Sequence, residues 1–291
     1  MLSLCISMYK DLFRPTYLQE LCKKYNLSPS KKYGQNYLIT DSPVKKMLEA
    51  ADLKKSDIVV EIGPGFGVLT FALTEKVKKV LAFEIEKKLE KYWQENSSEN
   101  LEVIWGNVLN KIEEESKKFK GYKVVANLPY QITSNILRTL LELENKPESI
   151  TVMVQREVAD RIVAKPGDMS MLAVSVQYYG QSKKIAKVSK GNFWPSPKVD
   201  SAVLHITTRP PNHSTTFTDK EFFEVVRVGF ANKRKQLWRN LAVGLKIEAE
   251  QIKHILNTVT GNEKIRAEEL LVEQWKEITD ILNTKNTKVQ K

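Results

Sequence analysis

Ile58-Val59-Val60-Glu61-Ile62-Gly63-Pro64-Gly65-Phe66-Gly67-Val68-Leu69-Thr70-Phe71-Ala72-Leu73 passes from an apolar run through a glycine-rich turn into a second apolar run. The first five residues lack the polar alternation of a half-exposed strand and read as a strand buried in a parallel sheet. Val68 to Leu73 reads as the helix that follows. Strand, glycine loop and helix in succession open an α/β unit that binds a nucleotide-like cofactor. Glycines belong in such a loop because side chains would keep the backbone from closely approaching a bound nucleoside or its charged tail.

A second strand, Val80-Leu81-Ala82-Phe83, ends in Glu84, 21 positions after Gly63. At that separation an acidic residue can accept hydrogen bonds from ribose hydroxyls. Nicotinamide enzymes use the same combination, so the pattern leaves two cofactors open. The glycines fall as G-x-G-x-G, with none placed for close helix packing beneath a pyrophosphate, and this spacing favours S-adenosylmethionine. Apolar runs at 101–105, 123–127 and 150–155 continue the alternation of strands with helical stretches.

The run from Lys123 leads into Asn127-Leu128-Pro129-Tyr130. Asn127 brings a side-chain oxygen, Leu128 a main-chain carbonyl held extended by the proline after it, and Tyr130 a ring for stacking. Two acceptors beside a ring suit a flat base with an exocyclic amine.

Together these stretches resemble the rRNA adenine N6,N6-dimethyltransferases of the KsgA/RsmA type. The resemblance covers most of the chain. It is carried by Lys32-Tyr33-Gly34-Gln35-Asn36-Tyr37-Leu38, by Glu61 to Thr70, by Asn127 to Tyr130 and by Met153 to Arg161. Phe193-Trp194-Pro195-Ser196-Pro197-Lys198-Val199-Asp200-Ser201 and Gly229-Phe230-Ala231-Asn232-Lys233-Arg234-Lys235 complete the set. It implies a Rossmann-like class I methyltransferase sheet of seven strands, with later strands near 183–189 and 199–207, the last pair antiparallel. It also implies that Asn36 and Leu38 line the methionine end of S-adenosylmethionine, that Gly63 and Gly65 form its floor and that Glu84 holds the ribose. Asn127 also borders the cofactor. Where the family has an Asp contacting the cofactor's adenine amine, this chain has Asn107, which keeps an acceptor oxygen and loses the charge. Phe193 would face Tyr130 across the target base.

The implied reaction is dimethylation of two adjacent adenosines near the 3′ end of 16S rRNA, in an immature 30S subunit, by a cytoplasmic monomer. An Erm-type 23S rRNA methyltransferase shares most motifs, but Leu128 and the long match over Phe193 to Ser201 favour the first activity. Non-catalytic rRNA binding by an assembly factor is the remaining alternative. His205, His213 and His254 lie away from the motifs, so a histidine mechanism has little to stand on.

The formal charge of +11 attracts polyanions. Basic groups cluster at Lys31-Lys32, at Lys183-Lys184 with Lys187 and Lys190, and at Lys233-Arg234-Lys235 with Arg239. The last is expected on a helix beside Gln236 and Trp238 and is the best candidate for an RNA contact. Cys5 and Cys22 make no metal-ligand set, and no metal is expected; their number suits a reducing compartment. No stretch has the length and apolarity of a membrane span. Residues 1–30 read as a helical extension, 31–208 as the methyltransferase domain, 209–218 as a linker and 219–291 as a small all-helical domain punctuated by Gly244 and Gly261.

Overall fold

The computed structural model describes residues 9–29, 34–209 and 216–289, the last five of these by backbone alone. Its strands are β1 (Tyr37–Leu38), β2 (Ile58–Ile62), β3 (Lys79–Glu84), β4 (Leu101–Trp105), β5 (Lys123–Asn127), β6 (Ser149–Gln155), β7 (Gly180–Val188), β8 (Phe193–Trp194) and β9 (Ser201–Thr208). Seven of them form one sheet in the order β4-β3-β2-β5-β6-β9-β7. Strands β2 to β6 pair in parallel, and β9 runs antiparallel to β6. Val59, Val60, Val124, Val125, Ala126, Val152 and Val154 are completely buried, as continuous apolar runs in a sheet covered on both faces must be.

The chain divides into two compact units, Met1–Ala159 with Gln181–Thr208 and Asp160–Gly180 with Arg209–Lys291. The first holds the sheet with helices α1 (Pro15–Lys24), α2 (Ser42–Ala51), α3 (Val68–Thr74), α4 (Glu90–Glu95), α5 (Ile112–Ser116) and α6 (Thr133–Glu142). Leu18, Leu21 and Cys22 of α1 lie in the same hydrophobic cluster as Val59, Val125 and Met153. The described part of the N-terminal extension is therefore packed into the core of the sheet unit.

Helix α7 (Arg156–Ile162) spans the boundary between the units. The second unit contains α8 (Met171–Tyr179), α9 (Asp219–Gly229), α10 (Leu237–Leu245), α11 (Ala249–Thr260) and α12 (Val272–Val289). Helix α9 starts where the sequence places it, because Thr218 and Glu221 form a capping box. Helix α8 packs in this unit's own core, where Tyr178 stacks on Phe222 with ring centroids 4.2 Å apart. Residues 160–180, which the sequence reading kept with the sheet, thus group with the helices.

Two local expectations differ from the structure. Gly244 does not interrupt a helix but lies within α10, at a contact where a Cβ would collide with Val228. Its smallness lets helices approach, whereas Gly261, with φ +70°, does end α11. Lys233-Arg234-Lys235 occupies a turn between α9 and α10 instead of a helix. Buried Asn240 donates from Nδ2 to the carbonyls of Gly229 (2.6 Å) and Asn232 (3.1 Å) and so fixes that turn.

Candidate active site

The glycine loop begins at the end of β2, where the Gly63 N–H donates to the Phe83 carbonyl at 2.9 Å and ties the loop to β3. The Gly67 N–H donates to the Pro64 carbonyl at 2.9 Å and closes the turn into α3. Gly65 holds φ +55°, and a Cβ there would lie 3.1 Å from the Tyr37 ring. A Cβ on Gly63 would meet no atom within 4 Å, so that glycine faces open space.

Glu84 ends β3 directly opposite this loop. Its Oε2 accepts from the Gly65 N–H (3.2 Å) and its Oε1 from the Glu86 N–H (2.7 Å). The side chain is only 5% exposed. Burial raises its pKa, and the backbone N–H groups of Glu86, Gly65 and Ile85 pull it back. The carboxyl is thereby held in one orientation at the edge of the cleft.

A single cleft in the sheet unit is bordered by Asn36, Leu38, Gly63, Gly65, Glu84 and Asn127, six of the residues expected to hold the cofactor. Asn107 is not among its lining residues. Its Oδ1 accepts from the Leu109 N–H at 3.1 Å, capping a short 3-10 turn. The oxygen expected to meet an adenine amine thus already serves the backbone.

The second half of the site starts at Asn127. Its Nδ2 donates to the Asn36 carbonyl at 3.4 Å, a long contact that links the two motifs. Leu128 is buried, and its N–H donates to the Met153 carbonyl at 3.1 Å, pinning the turn to β6. Thr133 Oγ1 donates to the Pro129 carbonyl at 3.0 Å at the start of α6. Tyr130 is half-buried and its hydroxyl shares a 2.7 Å hydrogen bond with Ser201 at the start of β9; burial raises its pKa. The turn therefore presents its groups from several fixed anchors.

Phe193 is 3% exposed and belongs to the main core. It sits in β8, which pairs with β1 so that Leu38 opposes Phe193 and Tyr37 opposes Trp194. The Tyr37 and Trp194 rings stack at 6.3 Å. This two-residue ladder joins segments more than 150 positions apart, and no local pattern announces it. Tyr37, Glu61, Phe66 and Ile85 also line the cleft and were not among the expected site residues. For Glu61 a signal existed: an acid inside an apolar strand.

In the helical unit, the turn over Lys233 to Lys235 is exposed, and Arg239 lies on the first turn of α10. Lys233 Nζ stands 3.7 Å from Glu268. Arg239 and Lys253 lie over the Trp238 ring at 5.0 and 4.8 Å from its centroid, cation–π contacts that mix charge with an aromatic surface. Lys183 and Lys187 are exposed on β7, while Lys31-Lys32, Cys5 and His213 lie outside the described residues. His205 bonds to Thr151 and Thr207 and its pKa is lowered, first by burial. Among the described residues no group of three or more His, Cys, Asp or Glu side chains is placed to hold a metal, and no helix is long and apolar enough to cross a membrane.

The family model of the ribosomal RNA adenine dimethylases matches residues 26–284. The chain is 41% identical over 266 residues to a ribosomal RNA small subunit methyltransferase A of Dehalococcoides mccartyi, covering 89% of this chain and 90% of the relative. A dimethyladenosine transferase from Plasmodium falciparum superposes with a TM-score of 0.70 at 25% identity, covering 86% of this chain and 98% of that one. The 23S rRNA methyltransferase ErmE gives a TM-score of 0.68 at 25% identity, covering 85% and 100%. The matched span contains the glycine loop, the acid on β3 and the Asn127 turn, and the chain belongs to the ribosomal RNA adenine dimethylase family.

Proposed function

We propose that this protein transfers methyl groups from S-adenosylmethionine to the N6 amines of two adjacent adenosines near the 3′ end of 16S rRNA, acting as a cytoplasmic monomer on an immature 30S subunit. The observation that carries the reading is the position of Asn127, which borders the cofactor cleft and also opens the acceptor turn. Any amine bound at Asn127 lies next to the cleft.

The cleft suits the proposed cofactor. Gly63 leaves its side toward the cleft bare, Glu84 stands at the rim as a fixed acceptor, and Glu61 leaves a buried oxygen unpartnered in the wall. When bound, S-adenosylmethionine supplies a methyl group already activated by its sulfonium charge. The protein's task is then positioning. An adenine amine is a poor nucleophile because its lone pair is delocalised into the ring. Hydrogen bonds to the Asn127 Oδ1 and the Leu128 carbonyl would favour a more pyramidal nitrogen, and Tyr130 would hold the ring in line. The Asn127 Nδ2 donates to Asn36, which turns the amide so that Oδ1 remains as the acceptor. The proton lost from the amine goes to water, so no side-chain base is required.

A base stacked in a duplex cannot enter such a site, so the target adenosine must be unpaired or flipped out. Phe193 is covered here. For it to meet the base from the side opposite Tyr130, the packing around its ring has to open. Lys233, Arg234, Lys235 and Arg239 are assigned to phosphate and sugar contacts, beside the Trp238 ring that Arg239 and Lys253 approach. Similarity to a relative named for the small subunit, at 41% identity, supports 16S over 23S rRNA more strongly than the 25% identity to ErmE supports the reverse. Calorimetry with S-adenosylmethionine, followed by mass analysis of dimethyladenosine in immature 30S subunits, tests the reading. Absence of cofactor binding would leave only the non-catalytic alternative.

A further inference from the structure

Glu61 is the one charged residue of β2, a strand otherwise made of Ile and Val. It is 1% exposed, yet it lines the cleft. Its Oε2 is buried without a hydrogen-bond partner, and so is the hydroxyl of Thr70 on α3. Thr70 lies close enough to favour the charged form without closing a hydrogen bond.

Among the described residues, the surroundings of Glu61 offer no cation. Lys79 of β3 and Lys123 of β5 pair with Ile58 and Val59, at the far end of β2. The α3 sequence carries no charge. The remaining neighbours that act on it are acidic or neutral: Glu84 repels its charge, and the Tyr37 hydroxyl that shares the cleft wall is itself buried and unpartnered. A carboxylate in this position would leave an oxygen unsolvated and unpaired, whereas a neutral carboxylic acid tolerates it. Burial accordingly pushes the Glu61 carboxyl up to about 8. Glu84 differs, because backbone N–H groups satisfy both of its oxygens.

We propose that Glu61 is a specificity residue of the cofactor site, giving up its proton when a positively charged ligand enters the cleft and so linking affinity to the sulfonium charge that separates the methyl donor from its demethylated product. The O–H bond of the Glu61 carboxyl breaks, its electron pair stays on the carboxylate, and the proton leaves to solvent. The incoming positive charge replaces the proton as the partner of the buried oxygen. The inference rests on the cofactor assignment made above and adds to it a basis for choosing donor over product. Binding of the donor should tighten as pH rises toward 8, since less work is then needed to remove the proton. The demethylated thioether lacks the fixed charge, so its binding should respond less.

Calorimetry on the whole protein at pH 7 tests this, with S-adenosylmethionine and S-adenosylhomocysteine each titrated in two buffers of different ionisation heat. The expected result is release of a large fraction of a proton per donor bound and clearly less per product bound. Glu61→Gln, which keeps the shape and removes the titration, should abolish the buffer dependence and narrow the preference for donor over product by about tenfold, the scale of one buried charge contact. Donor binding to the wild type without proton release would overturn the inference while leaving the cofactor assignment intact. Proton release and preference unchanged in Glu61→Gln would do the same. Failure of the wild type to bind either ligand would overturn the cofactor assignment and this inference with it. The wild-type buffer comparison decides the matter even if the variant does not fold.

Discussion

The cofactor wall and the acceptor turn share Asn127 but are built differently. Around the cofactor cleft, backbone groups fix the parts: Gly63 is tied to β3, and both oxygens of Glu84 are held by N–H groups of its own loops. At the acceptor turn, Leu128 and Tyr130 are anchored to β6 and β9, yet Asn127 and Tyr130 remain half-buried and open to a partner. A ligand of constant shape can be met by a preformed wall. A base delivered by a large RNA needs a site that is fixed in direction but accessible. On the proposed assignment the first side would set affinity and the second reactivity.

Removing the Asn127 amide probes that division with the largest expected effect. Asn127→Ala should lower methyl transfer by at least about 10²-fold, the scale of losing a preorganised acceptor, while S-adenosylmethionine affinity changes only a few-fold. Single-turnover kinetics with parallel calorimetry checks this; retained transfer would remove Asn127 from its assigned role. Gly65→Ala should do the opposite. The new Cβ approaches Tyr37 from a backbone at φ +55°, so cofactor affinity should fall by about tenfold or more while transfer at saturation persists. A variant that bound normally and transferred slowly would erase the distinction between the two sides.

A pH profile of the ligand-free protein gives a smaller effect. Glu61 has a folded pKa of about 8 against an ordinary 4.5. Its contribution to stability is complete below about pH 4.5 and declines as pH rises toward 8, because the folded state then keeps a proton that the unfolded state has released. Each unit in that window removes up to about 1.4 kcal/mol. Thermal melts should therefore fall between pH 5 and 8 more steeply in the wild type than in Glu61→Gln. Equal slopes would contradict the burial argument. The smallest change is expected from Asn107→Asp. A carboxylate can cap Leu109 with one oxygen and keep the other for a ligand, so cofactor affinity should rise by about 1 kcal/mol or less. Calorimetry would show a gain of at most about fivefold, and a loss of affinity would contradict the assignment of a ligand-facing oxygen at position 107.

The central strands were legible because parallel strands covered on both faces are continuous apolar runs: those expected at 58–62, 101–105 and 123–127 match β2, β4 and β5 residue for residue. The cleft residues were legible for a related reason, since Gly63 and Gly65 follow the end of β2 and Glu84 ends β3. What depends on distant partners was not. The β1–β8 ladder buries Phe193 through a pairing across more than 150 positions. The turn at Lys233 to Lys235 is fixed by Asn240, and the grouping of 160–180 with the helices follows from packing on Phe222. Asn107 kept its expected place after β4, but its use as a cap became visible only with the Leu109 N–H in position.

The most direct test of the account is a mapping experiment with labelled S-adenosylmethionine. Immature 30S subunits and naked 23S rRNA would be offered in parallel, and dimethyladenosine located at nucleotide resolution in each. The account predicts paired dimethylation of adjacent adenosines near the 3′ end of 16S rRNA, lost in Asn127→Ala. Label confined to 23S rRNA would contradict it.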